Sequence, residues 1–131
     1  MRRLILPTLL AATIATASGA QTPLKDVTEI SEGLIAAGMA IEIADNCDNI
    51  SVRLIRGYSY LNGLKSRARD LGYSADEIDA YVDDKVEKAR LEDIARERLA
   101  TKGAVSGNNA TYCAVGQAEM AANTTVGSLI H

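Results

Sequence analysis

The sequence predicts an all-α protein, a small helical bundle of four main helices closed by one disulfide. Three observations carry this expectation. Apolar residues recur at three- and four-residue steps, and no run alternates in the manner of a strand. Helix start and stop signals punctuate the chain at several points. The only two cysteines, Cys47 and Cys113, lie far apart in a chain of 131 residues, a length that suits one small domain.

The first element stands apart from that domain. Met1, Arg2 and Arg3 form a basic start, residues 4–16 an apolar stretch, and Ser18, Gly19 and Ala20 a run of small residues. This is the pattern of a secretory signal peptide over residues 1–20, with cleavage after Ala20 and a single helical domain over residues 21–131. The apolar stretch falls short of the roughly 20 residues that span a bilayer, so no membrane span is expected after signal removal.

Helix 1 is expected over residues 24–44. Thr22 and Pro23 offer a cap and a first-turn proline, and Asp26 and Glu29 complement the helix dipole. Ile30, Leu34, Ala37, Ile41 and Ala44 make its apolar face, while Gly33 and Gly38 would let a neighbouring helix approach closely. Residues 45–49 are rich in Asp and Asn and read as a turn that holds Cys47. Helix 2 is expected over residues 51–71, with Leu54, Tyr58, Leu61, Leu64, Ala68 and Leu71 as its stripe and Gly72 as its stop.

Helix 3 begins with a capping box, Ser74 at the cap and Glu77 three residues on, and continues to Lys102, with Gly103 as its stop. Ile78, Tyr81, Val82, Val86 and Ala89 share one face, but Leu91, Ile94 and Ala95 fall on the other. The stripe changes face near Arg90, which predicts either a break or two halves packed against different partners. Eleven of the sixteen residues from 83 to 98 are charged and read as a solvated face, with Asp84/Lys88 and Glu92/Arg96 as i,i+4 pairs. After a loop over residues 103–109, helix 4 is expected over residues 110–122, and Asn123, Thr124 and Thr125 cap a last short turn. Tyr58, Tyr81 and Tyr112 are expected in the core, and Tyr60 and Tyr73 on the surface as an exposed pair that could anchor a partner.

Composition excludes several functions. Without Arg2 and Arg3 the chain keeps 12 of its 14 basic residues against 17 acidic ones, a charge of −5 that disfavours nucleic acid and anionic lipid. A thiol nucleophile needs a base, and the one histidine is the terminal His131. A zinc site needs more Cys or His than exist here, and there is no Cys-x-x-Cys. Two cysteines in an exported domain of this size are therefore expected to form a disulfide, Cys47 with Cys113. No catalytic, cofactor-binding or metal-binding residues are expected, and no cofactor.

Charge is segregated along the chain. Residues 50–72 carry Arg53, Arg56, Lys65, Arg67 and Arg69 against Asp70 alone, a net +4, between segments of −5 (residues 24–48) and −3 (residues 74–102). Helix 2 either neutralises its neighbours within the bundle or presents a docking face for an acidic partner.

Three segments carry a family resemblance: "CDNISVRLIRGYSYLNGLKSRARDLGYSADEIDAYV", "LATKGAVSGNNATYCAVGQAEM" and "VGSLI". Together they cover most of the mature chain, and it resembles the exported alphaproteobacterial proteins grouped as domain of unknown function 5333. The resemblance implies no catalytic residue. It implies a link to respiratory complex I, in an accessory role. The expected function is that of a non-enzymatic binding or assembly accessory protein with a protein partner in the periplasm. The rival is a periplasmic stress chaperone of the small helical, disulfide-bonded type.

Overall fold

A computed structural model describes residues 21–131; the expected signal peptide, residues 1–20, lies outside the described residues. The expected all-α architecture is present. Among the described residues six α-helices follow one another: α1 (Thr28–Asn46), α2 (Leu54–Asp70), α3 (Ala75–Val82), α4 (Lys85–Thr101), α5 (Asn109–Ala121) and α6 (Thr125–Ser128). Five are substantial, because the third expected helix is divided into α3 and α4.

The chain enters through a single 3-10 turn, Leu24–Asp26, rather than through α1 itself. Val27 is extended (φ −83°, ψ 100°) and separates the turn from the helix. Thr22 does not cap it; its carbonyl accepts a hydrogen bond from the Tyr73 hydroxyl. Tertiary packing wins here over local signals, since the turn carries Leu24 into a small cluster with Ile30, Ala68, Tyr73 and Ile78.

α1 is the central helix, with α2, α4, α5 and α6 around it. Ile35, Met39 and Ile43 recur every four residues and enter the main cluster beside Ala40. Ala95 and Leu99 reach them from α4, Tyr112 and Val115 from α5, and Val126, Leu129 and Ile130 from the chain's end. Gly33 gives the close approach expected of it. A Cβ there would sit 2.6 Å from the Leu64 side chain, and the Tyr60 hydroxyl donates to the Gly33 carbonyl at 2.9 Å.

Cys47 ends α1 in an extended conformation, Asp48 and Asn49 make a turn in which the Ile50 amide donates to the Cys47 carbonyl, and α2 begins only after Arg53. α2 therefore starts three residues later than expected. The cause is distant in sequence: Ser51 and His131 exchange backbone hydrogen bonds of 2.9 Å in both directions, and the Arg53 amide donates to the Leu129 carbonyl. His131, at a terminus where chains commonly fray, is thus held by its backbone.

The punctuation of the middle helices follows the expected signals. Gly72 (φ +98°) and Gly103 (φ +108°) stop α2 and α4 in the left-handed conformation that glycine adopts without steric cost. The Ser74–Glu77 capping box opens α3, both of its hydrogen bonds in place. The break between α3 and α4 falls at Asp83 and Asp84, not near Arg90. The Asp84 carboxylate accepts from the amides of Val86 and Glu87 at 3.0 Å each, so it caps α4 and makes no pair with Lys88. α3 turns Ile78 into the small cluster, while α4 turns Leu91, Ala95 and Leu99 onto α1. The two halves thus pack against different partners, which is why the stripe changes face.

Cys47 and Cys113 form a disulfide with Cα atoms 5.2 Å apart, within the span such bonds require. It ties the end of α1 to the second turn of α5. Cys47 is fully buried and belongs to the main cluster. Structural disulfides of this kind persist outside the reducing cytoplasm.

Candidate binding groove

The apolar stripes read from the sequence do not all enter the core. On α1, Leu34, Ala37 and Ile41 line an open groove, Ile41 half exposed. Leu61, Leu64, Lys65 and Ala68 of α2 form one wall. Ile78, Tyr81 and Val82 of α3, with Leu91 of α4, form the other. The space between them is about 260 Å³. Three expected stripes therefore converge on one surface that none of the described residues fills.

The apolar surface extends past the groove along α2. Leu54 and Tyr58 precede Leu61 and Lys65 at helical spacing, on the same flank, and are 79% and 75% exposed. Ile55 is 89% exposed beside them, and Val86 is 82% exposed at the start of α4. Scattered apolar residues on a surface need no explanation, but a contiguous set rimmed by charge marks an interaction site.

The tyrosine expectations need correction. Tyr58, expected in the core, stands in solvent. Tyr60 and Tyr73, expected as an exposed pair, are turned inward: Tyr60 packs against Gly33, and Tyr73 is buried in the small cluster. For Tyr58 and Tyr60 the source is the approach of α2 to α1 through the glycine at position 33, which turns the apolar stripe of α2 toward the groove. Tyr73 instead lies in the turn after α2 and is drawn in by the small cluster and the Thr22 carbonyl.

The basic residues of α2 divide between its flanks. Arg53 donates to the Ile130 carbonyl at 3.0 Å and Arg56 to that of Ser128, so both brace the chain's end. Arg67 pairs with Glu29 of α1 at 2.8 Å. Lys65 lines the groove and Arg69 follows it one turn later; neither has a carboxylate partner among the described residues. Neutralisation within the bundle thus accounts for only one cation of α2. Two of the four acids of α1 turn to α4 instead, Glu32 to Arg98 and Glu42 to Arg96.

The charged run of α4 is largely solvated, with one exception. Glu87 is buried at the end of the groove, where it binds Arg90 through both oxygens at 2.6 and 2.8 Å and accepts from the Tyr81 hydroxyl at 3.0 Å. The Arg90 hydrogen bonds hold its carboxyl below the ordinary range, and burial with the Glu87 charge pushes the Tyr81 hydroxyl up. This is a satisfied structural cluster that locks the α3–α4 junction. Glu119 is a second one, bound to Lys102 at 2.7 Å and to the Thr124 hydroxyl. No group of three His, Cys, Asp or Glu side chains is placed to hold a metal ion among the described residues, and no helix among them is long and apolar enough to cross a membrane.

The groove was not foreseen as a site. Its signal lay in the sequence as excess: helices 1, 2 and 3 each carry a long apolar stripe in a domain too small to bury them all. The model of the family described as "Family of unknown function (DUF5333)" matches residues 22–131. No curated protein and no solved structure matches the chain.

Proposed function

The chain belongs to this family of unknown function, and we propose that it is a non-enzymatic binding or assembly accessory protein of the periplasm that docks a partner protein along the groove and α2. The observation that carries this reading is the convergence of three apolar stripes on a surface left open beside unneutralised cations. Three leucine-sized side chains seated there would contribute about 5–9 kcal/mol before the cost of association is met. The disulfide and the charge pattern of residues 1–20 support an exported location.

The test is recovery of a partner from cells under mild crosslinking, with wild type and Leu61→Glu compared at native expression. Leu61 is a groove wall rather than a member of the two buried clusters, so the variant should fold. A defined protein captured by wild type and lost with the variant is expected; no such protein would overturn the reading. The link to respiratory complex I predicts that deleting the gene lowers membrane NADH oxidation, and unchanged oxidation would remove that link.

A second reading is the stress chaperone, favoured by the exposure of Leu54, Ile55, Tyr58 and Val86. It predicts that acidification raises apolar dye binding and suppresses aggregation of unrelated clients. Dye binding and client aggregation both unchanged at low pH would sink it.

A further inference from the structure

Resting on the reading of the groove as a docking site, we infer that its occupant is an amphipathic helix of the partner, about three turns long, acidic along α2 and basic along α3. Its length follows from the floor. From Ile30 to Ile41 the groove runs along α1 for about 16 Å at 1.5 Å per residue.

The form of the occupant follows from hydrogen bonding. The floor and most of both walls are helical, so their amides and carbonyls are bonded within their own helices. An extended segment would find no ladder to join and would bury unsatisfied backbone groups, whereas a helix brings its own bonds. A small amphiphile would fit the 260 Å³ hollow but leave Leu54, Tyr58 and Val86 in water. A helix with neighbouring structure covers them.

The charge pattern sets the flanks. Lys65 and Arg69 share one side of α2 and have no carboxylate among the described residues, while the groove-lining Lys88 of α4 is matched by Glu92. Across the groove, Asp79 of α3 and Asp83, which caps its C-terminal end, lie three residues before and one after Val82 at helical spacing, and neither pairs with a cation among the described residues. An occupant that satisfies both rims is polarised. The chain's own α2 is basic on both flanks, through Lys65 and Arg69 on one and Arg56 and Arg67 on the other, and so does not fit this description.

The probe is a synthetic 14-residue helical peptide with leucines at three- and four-residue spacing, glutamates along one flank and lysines along the other. Binding is followed by NMR shifts of Ile41, Leu61 and Val82, with a spin label at the peptide's N-terminus to read its direction. Lys65→Glu with Arg69→Glu should weaken binding about tenfold at low salt, and so should Asp79→Lys with Asp83→Lys. Combining all four should restore affinity with the peptide reversed end for end, because turning the helix exchanges its flanks.

Equal binding to every variant would overturn the charge assignment while leaving the docking reading intact. No binding of the peptide would overturn the helical occupant; partner recovery with wild type and Leu61→Glu would still decide the docking reading. Filling of the groove by dodecanoate in preference to the peptide would assign it to an acyl chain. Sedimentation as a dimer that Leu61→Glu dissociates would assign it to a second copy. Either result would also overturn the inference.

Discussion

Reducing the Cys47–Cys113 bond should remove about 4 kcal/mol of stability. The two residues are 66 positions apart, and closing a loop of that length restricts the unfolded chain by about 4 kcal/mol at 25 °C on the chain-entropy estimate. A domain of this size is stable by about 5–15 kcal/mol in all, so the loss would leave the molecule marginal. At about 4 °C per kcal/mol the melting temperature should fall by about 15 °C. The assay is urea unfolding followed by far-ultraviolet circular dichroism, with and without dithiothreitol. The denaturant slope should rise on reduction, because an uncrosslinked unfolded chain exposes more surface. A double Cys47→Ala, Cys113→Ala variant should be less stable than reduced wild type, since Cys47 is buried and truncation leaves a cavity where the reduced thiol still packs. A stability difference below about 1 kcal/mol between oxidised and reduced protein would refute the chain-entropy account.

Acid should destabilise the fold. The Glu32, Glu87 and Glu119 carboxyls are held below the ordinary 4.5: Glu32 and Glu87 by their arginines, Glu119 by Lys102 and Thr124 against the opposing effect of burial. Depressed carboxylates contribute stability that is complete above 4.5 and lost as pH falls below it through their folded values. Urea midpoints that stay constant from pH 7 to pH 3 would contradict this. Gly127→Ala should cost more than Gly116→Ala in thermal melts. A Cβ at 127 meets the backbone carbonyl of Glu119, whereas at 116 it meets only side-chain atoms, the movable end of Ile50 at 2.5 Å and the Cγ2 methyl of Ile43 at 2.9 Å. Equal losses would show that the backbone near Glu119 yields freely. Ser74→Ala and Asp84→Ala should each destabilise by about 1 kcal/mol, since each removes an N-cap side chain that accepts backbone amides. An Asp84→Ala variant as stable as wild type would mean that the α3–α4 break is fixed by packing alone.

Local chemistry was legible in the sequence, and direction was not. The Ser74–Glu77 box, the glycine stops at 72 and 103 and the cysteine pair each act through a few neighbouring atoms or through elimination, and each stands where it was expected. Asp84 is local chemistry too, but ten other charged residues in the same run hid the one carboxylate there that faces amides. The start of α2 depended on residues 129–131, which no local pattern could announce. Periodicity found the Ile30, Leu34, Ala37 and Ile41 stripe but could not say what it faces. α1 is surrounded on several sides, so it carries a second stripe, Ile35, Met39 and Ile43, and that one went to the core. The groove is the difference between the apolar surface the helices carry and the surface they can bury.

The two clusters are fastened differently. The larger contains Cys47 and is crosslinked to α5; the smaller, built from Leu24, Ile30, Ala68, Tyr73 and Ile78, has five side chains and no covalent tie. The smaller end is thus the weaker cooperative unit, opening at a lower free energy than the whole molecule. The groove is lined by four of those five side chains together with Leu91 of the larger cluster, so it crosses the seam between the units. Whatever fills it couples them, and occupancy should appear first as slowed amide exchange in α3, far from the bond that secures the other end.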